Sequence, residues 1–423
     1  MLTRRLRPGF LLVLGCLLIL PAFVSYCEPA QAALSRFGEI PTYQEYLASF
    51  AEPAYPQREV RINGSGFARA TARTKLLLDH EGYPGWVVWV DEQGTIEWEV
   101  WVEEAGLYNL ELAYYPAPGR SSAMERSIEI NGELPFSSAE YLVFHRIFGD
   151  AGPSQFDAAG NEIRPRQVEK PMWQTVLLTD AQGYEEQPLF FHFQQGWNTI
   201  RLISKAEPMI IGYLRLCQAP VPKPYSEVRA EQPQAEELRG IFIQIEGESS
   251  SYRSSPSLFA VADPGDPTVV PYHQDGYYKI AIKGKQNINR GDLSNRRLLI
   301  DGQVPFAEVS AIPFRFSSRY EITQLGEEEL GEPFLFYLTK GQHEIRLEAV
   351  LGDLGPLIEF AEDLLYELNS VYRSIIMITS PTPDPIRSYQ LEQRVPQLLE
   401  RIKAGAEDLR YLAAELERIT GQL

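Results

Sequence analysis

At 423 residues, with 57 acidic against 39 basic side chains, the chain carries a formal charge of −18 at pH 7. A surface of that sign repels phosphate backbones and anionic lipid, which excludes nucleic acid as a partner. The length is ample for two or three domains with cores of their own, and three cysteines are too few for a disulfide-built scaffold.

The opening stretch, MLTRRLRPGFLLVLGCLLILPAFV, sets three arginines ahead of a long apolar run and is followed by AQA. This predicts a secretory signal over residues 1–32, cut after Ala32, rather than a membrane span. Cys16 and Cys27 offer lipid anchoring as an alternative, disfavoured because Cys16 lies inside the apolar run and Cys27 follows the bulky Tyr26. The mature chain is therefore expected to be secreted, extracellular or at the cell surface. Cleavage removes three arginines and Glu28, which leaves a charge of −20 and Cys217 as the sole thiol. That thiol is expected to be a small buried hydrophobe near a strand end.

Residues 33–56 read as a lead-in and 57–222 as a first module of short strands. In TIEWEVWV, Ile96, Trp98, Val100 and Val102 share one face while Glu97, Glu99 and Trp101 share the other, as a half-buried strand requires. IEING ends in Asn131-Gly132, the pair that takes positive φ most readily in a two-residue hairpin. QQGW, ending at Trp197, is a second hairpin signal.

The module is then written again. GLYNLELAYY at Gly106 matches GYYKIAIKGK at Gly276, and RSIEINGELPF at Arg126 matches RRLLIDGQVPF at Arg296, both 170 residues apart. EQPLFFHFQQGWNTIRLIS at Glu186 matches GEPFLFYLTKGQHEIRLEA at Gly331 at an offset of 145, so the first copy carries 25 extra residues between these anchors. A weaker match of EVRINGS at Glu59 with FIQIEGE at Phe242 places the start of each copy. Many short strands punctuated by Gly, Pro and Asn predict two antiparallel β-sandwiches in series.

Between the copies, residues 223–240 are rich in proline and charge and read as a linker, with Tyr225 expected to dock it against the first module. Residues 241–352 form the second module. It is shortened, because the stretch from IEGES to GYYKI takes 29 residues where the first copy uses 42, with no counterpart of TIEWEVWV between Tyr272 and Gly276. From 353 to 423 the period becomes helical. Leu364, Leu365, Leu368, Val371, Tyr372 and Ile375 lie on one run, TSPTPDP breaks it, and Leu391, Val395, Leu398, Ile402, Leu409, Leu412, Leu416 and Ile419 form a second stripe in which Pro396 marks a kink or the true start.

No catalytic constellation stands out. The five histidines show no i, i+4 pair, no cysteine cluster exists, and no nucleophile elbow or phosphate-cradling loop is present. Glu97 and Glu99 are paired carboxylates on the face expected to be exposed, where charge needs no further explanation. Aromatic residues are the better lead, because sugar rings present flat C–H faces that stack on Trp and Tyr. Trp173 lies in EKPMWQT inside the insertion, as a ligand contact or as a pin for its own loop. Tyr114 and Tyr115 precede the loop PAPGRSSAMER, and Arg120 and Arg146 are either hydroxyl or carboxylate donors or simply solvated. Trp197 sits at the tip of QQGWN and is replaced by Gln342 in the second copy, so the fold does not demand it.

GLYNLELAYYPAPGRSSAMERSIEING resembles the strand, ligand loop and strand of jelly-roll carbohydrate-binding modules of families 6 and 35. More widely, ERSIEINGELPF, RPRQVEKPMWQ, EPMIIGYLRL, KPYSEV, RRLLIDGQVPF, GEPFLFYLTKGQHEIRL and YQLEQRVPQLLE, spread over residues 40–420, are similar to the N-terminal part of extracellular solute-binding proteins of sugar ABC transporters from Paenibacillus-like Gram-positive bacteria. The resemblance implies a mainly β chain with two tandem antiparallel β-sandwich modules of jelly-roll, galactose-binding-like kind, then a C-terminal α-helical segment. It implies an oligosaccharide or polysaccharide ligand and an ABC permease as partner, with a solute-binding domain that these residues do not carry. In such modules the last strand bears an Asn and an Asp near the site, whereas that region here reads EPMIIGYLRL with Gly212 and GPLIEF with Glu359. Their EAE strand, which holds a structural calcium, is echoed by IQIEGE, making Glu246 and Glu248 the candidate ligands; a hard cation needs several converging oxygens.

Two functions of different class follow: a secreted, non-catalytic carbohydrate-binding protein of a sugar-uptake system, or a structural scaffold at the cell surface that binds no sugar. A polysaccharide-cleaving enzyme is disfavoured, since no acid and base can be nominated.

Overall fold

A computed structural model of the chain describes residues 40–153, 155–163, 165–232, 243–245, 247, 250–256, 275–288, 290, 293–326 and 331–421. Residues 1–32, Glu246 and Glu248 lie outside the described residues. The fold is mainly β, built from antiparallel sheets and followed by helices. Among the described residues no helix is long and apolar enough to cross a membrane.

The first module opens with a short helix, α1 (Tyr43–Ala48), closed at its start by a reciprocal Thr42–Glu45 capping box. Its strands are β1 (Val60–Asn63), β2 (Arg69–Ala70), β3 (Thr74–Leu78), β4 (Trp86–Val90), β5 (Gly94–Val102), β6 (Gly106–Pro116), β7 (Met124–Ile130), β8 (Leu142–Phe144), β9 (Phe148–Asp150), β10 (Gln155–Phe156), β11 (Glu162–Ile163), β12 (Gln167–Glu169), β13 (Gln174–Leu177), β14 (Phe190–Phe193), β15 (Gly196–Ala206) and β16 (Met209–Cys217). A seven-stranded sheet runs β13-β6-β16-β4-β3, with β14 also on β6 and β1 also on β16. A five-stranded sheet, β2-β5-β15-β7-β8, faces it.

The alternation of TIEWEVWV aims Ile96, Trp98, Val100 and Val102 inward, where all four are buried among Tyr108, Leu110, Leu112, Phe191, Leu214 and their neighbours. Trp98 also donates its indole N–H to the Gly64 carbonyl at 2.9 Å, so its polar atom is satisfied in the core. Cys217 is buried at the end of β16, and burial pushes its thiol up to about 11.

The repeated strand, turn and strand is not a sheet hairpin as expected. β14 pairs with β6 in one sheet while β15 pairs with β5 and β7 in the other, so the QQGW turn arches across the core between two sheets. Turn chemistry fixes the bend; which sheet each strand joins is decided by pairing with residues far away in sequence.

The second copy contains α2 (Tyr225–Glu231), β17 (Gly276–Tyr278), β18 (Ala281–Gly284), β19 (Leu293–Ile300), β20 (Ile312–Arg315), β21 (Glu321–Gln324), β22 (Phe336–Leu338) and β23 (Ile345–Val350). Its registers reproduce the first. Gly106 opposes Phe193 and Gly276 opposes Leu338; Ile130 opposes Ile200 and Ile300 opposes Ile345; Met124 opposes Phe144 and Ser294 opposes Phe314. Both Asn131-Gly132 and Asp301-Gly302 take positive φ in two-residue turns, as predicted. The arch recurs too, since β22 pairs with β17 and β23 with β19.

Residues read as a linker contain part of this copy. Tyr225 packs on Phe306 and Phe334 of the second module, not on the first, and its hydroxyl accepts from Leu335 N–H at 3.1 Å. Tyr43 does the same in the first copy, accepting from Phe190 N–H at 2.9 Å. The repeating unit thus begins with its short helix.

The copies diverge after their last shared strand. MIIGYLRLC is rich in β-branched and alternating apolar residues and forms β16, whereas the equivalent stretch starts α3 (Leu354–Thr379). Pro356 lies in the first helical turn, where its missing N–H costs nothing, and Leu357, Leu364, Leu368 and Val371 recur at helical spacing. α4 (Leu391–Arg394) and α5 (Leu398–Thr420) follow; α5 begins just after Pro396 and packs back on α3 through Leu357, Leu364 and Leu412.

Candidate functional site

At the end of the first module where β6 and β15 finish, the loop after Pro116 is held by one carboxylate. Glu207, in the left-handed region at φ 62°, links β15 to β16 and is fully buried. It accepts from Arg120 N–H at 2.8 Å, Arg120 Nε at 3.1 Å, Ser122 Oγ at 2.9 Å and Arg146 Nη2 at 3.0 Å. Burial pushes this carboxyl upward, but those hydrogen bonds and the Arg146 charge outweigh it and hold Glu207 below the usual carboxylate range. Gly119 is required beside it, since a Cβ there would lie 1.9 Å from Glu207 Oε2.

Arg146, proposed from sequence as a sugar donor, is fully buried and committed to the fold. It donates to the Ser122 and Ala117 carbonyls at 2.6 and 2.9 Å and pairs with Glu169 and Glu207. Arg120 remains solvent-facing, with Glu92 at 2.7 Å on its outer side. Tyr114 and Tyr115 do not act together, because neighbouring strand residues point to opposite faces. Tyr114 lies in the core and donates to the His145 carbonyl at 2.9 Å; Tyr115 is on the outer face.

Tyr115 and Trp173 do meet there, at 5.6 Å between ring centroids, and Trp173 also tilts over Tyr83 at 4.4 Å. Its indole N–H donates to the His80 carbonyl at 3.1 Å. The ring therefore pins the insertion to the outer face of the seven-stranded sheet, leaving it half-buried. Gly212, in the last-strand region discussed above, lies directly under the Tyr83 ring.

Trp197 is elsewhere, at the opposite end of β15 from Glu207 and on the outer face of the other sheet. It stands opposite Trp101 in the β5–β15 register, the two rings edge to face at 5.6 Å, and they are 70% and 51% exposed. The same face continues along β5 and β15 as a ladder of charge. Arg201 donates to Glu97 and Glu129, each at 2.8 Å, and Arg69 lies 3.8 Å from Glu97 and 3.9 Å from Glu99. Glu97, expected to be exposed, is buried beneath these arginines. Trp101 was not singled out by sequence, although an aromatic residue at a position where the alternation calls for polarity was the available signal.

Sequence-expected calcium ligands Glu246 and Glu248 are not among the described residues, and among those that are, no group of three or more His, Cys, Asp or Glu is placed to hold a metal ion. His192 stacks on Phe50 in the first copy, and His343 bonds Asp301 and the Thr339 carbonyl in the second.

No protein-family model matches the chain, and no curated protein matches it. Solved structures similar to part of it include a family 35 carbohydrate-binding module from Clostridium thermocellum, 19% identical over 38% of this chain and 99% of that one, with a TM-score of 0.22. The C-terminal family 6 module of a laminarinase from Zobellia galactanivorans is 12% identical over 38% and 100%, with a TM-score of 0.24. A family 36 module of a xylanase from the hindgut metagenome of Trinervitermes trinervoides is 12% identical over 39% and 100%, with a TM-score of 0.22.

Proposed function

We propose that the chain is a non-catalytic carbohydrate-binding protein, and that its glycan lies on the outer face of the five-stranded sheet with Trp197 and Trp101 as the stacking platform. The exposure of two adjacent tryptophans carries this reading. Two large rings side by side and open to water on an otherwise charged strand face form an apolar patch of the kind that marks a binding surface, and Gln342 at the matching position of the second copy supports a role for Trp197 outside the fold. A sugar ring offers a flat C–H face to the indoles and hydroxyls to the neighbouring Glu99 and Arg69. The net charge favours a neutral glycan over a polyanionic one.

The test is affinity electrophoresis against neutral polysaccharides. Trp197→Ala should weaken retention on the order of 30-fold, the roughly 2 kcal/mol of a tryptophan anchor, without lowering the melting temperature. Wild-type protein that no polysaccharide retards would refute the proposal. A scaffold without sugar binding is the second reading, favoured by the use of Trp173, Tyr114 and Arg146 to hold the fold. On that reading Trp173→Ala lowers thermal stability and no variant alters glycan retention.

We further propose that the protein is exported by its N-terminal signal and serves an ABC-type sugar-uptake system, alongside a permease and a solute-binding domain. The arginine-led apolar stretch and the extended resemblance over residues 40–420 support this. Fractionation of the native host, with protein found only in the cytoplasm, would count against export.

A further inference from the structure

The helical hairpin of α3 and α5 meets the first module at a crowded seam. Residues Asp180 to Glu185 form a tight turn after β13, in which the Asp180 carboxylate accepts from the backbone N–H of Gln182 at 3.2 Å, Tyr184 at 2.8 Å and Glu185 at 3.4 Å. Gly355, in the first turn of α3, sits flush on this loop, since a Cβ there would be 2.5 Å from the Tyr184 carbonyl oxygen. Two turns on, Glu362 accepts from the Tyr184 hydroxyl at 2.7 Å. The hairpin behaves as one arm, because Arg401 of α5 pairs with Glu367 of α3 and Leu368 fills the space over Gly405.

The seam gathers like charges. Glu359, Glu362 and Asp363 come from α3, Asp180 and Glu185 from the turn, and Glu45 approaches Asp363 from α1. Their partners are neutral: Gln44 donates to Glu185 and Tyr184 to Glu362. The nearby cation, Arg297 of β19, is directed at the carbonyl and carboxylate of Glu186.

We propose that this seam is an acid-strengthened clamp, which holds the helical arm against the first module while Glu359, Asp363 and Glu185 are protonated and releases it as they ionise. Burial, and then repulsion from Glu185, Asp363, Asp180 and Glu362, raises Glu359 to about 7. Asp363 and Glu185 are raised as well, each chiefly by burial. A group raised on docking binds its proton more tightly in the docked state. Docking is therefore strongest below the ordinary carboxylate range, weakens as pH rises toward about 7, and is weakest above it.

Hydrogen–deuterium exchange of the full chain at pH 5 and pH 8, corrected for the intrinsic rate, reads this out on peptides covering residues 354–366 and 180–186. Protection of both should fall about tenfold or more at the higher pH, while β6 and β15 stay protected. Glu359→Gln should remain protected at pH 8, and Asp363→Asn should shift the same way by less. Protection that is equal at the two pH values in the wild type, or a loss in Glu359→Gln as large as in the wild type, would overturn the clamp.

Discussion

Leu202 in β15 opposes Ile128, and its counterpart Leu347 in β23 opposes Leu298; Ile200 and Ile345 are likewise equivalent. Leu202 and Ile200 are 2% and 0% exposed, whereas Leu347 and Ile345 are 46% and 42% exposed. Register is therefore shared between the copies and burial is not. Register depends on a turn and on the strand beside it, both of which the duplicated segments carry with them. Burial depends on the facing layer: in the first copy the sheet that holds β16 lies over β15, while in the second the stretch equivalent to β16 has become a helix that leaves the sheet and packs on α5.

This comparison is broken most directly by truncating the same leucine twice. Leu202→Ala removes a fully buried side chain from a closed core and should cost about 2–5 kcal/mol. Leu347→Ala removes one that is already half in water and should cost about a quarter as much or less. Denaturant unfolding of both variants checks it. Equal losses would mean that a facing layer covers β23 in solution.

The strands, the two-residue turns and the duplication were legible because each is written locally, in period-two alternation, in Asn-Gly and Asp-Gly, and in matched anchors. Partnership across sheets was not. Nothing in TIEWEVWV reveals that Arg201, about a hundred residues later, lies over Glu97. Nor does QQGW reveal that its flanking strands belong to opposite sheets. The candidate site was legible in part: Trp197 was named because the second copy lacks it, but its neighbour Trp101 and the embedding of Arg146 depend on register and on a carboxylate, Glu207, from a different loop.

Glu207 sharpens the contrast with the acidic seam, because the two respond to pH with opposite sign. A carboxyl held below its ordinary range contributes stability that is fully present above that range and is lost as pH falls through its folded value. Acid should thus loosen the Arg120 loop while tightening the helical arm. Glu207→Gln leaves the buried Arg146 with Glu169 as its remaining charge partner and should cost about 2–3 kcal/mol at neutral pH, somewhat less than loss of a whole buried pair partner. Its unfolding midpoint should also change less than that of the wild type between pH 5 and pH 3. A wild-type-like acid profile in the variant would show that another group controls that limb.

The smallest effect tests whether the short helices truly belong to the repeat. Tyr43→Phe and Tyr225→Phe each delete one hydroxyl and leave one equivalent strand N–H, of Phe190 or Leu335, without its acceptor. Each should cost about 1 kcal/mol. The location of the loss is the informative part: exchange should quicken at β14 in the first variant and at β22 in the second. If Tyr225→Phe instead quickened β14, the segment would be acting as a strap on the first module. The aromatic contacts of Tyr225 with Phe306 and Phe334, at 4.9 and 4.7 Å, argue for β22, since the ring stays in place in the variant and only the hydrogen bond is removed.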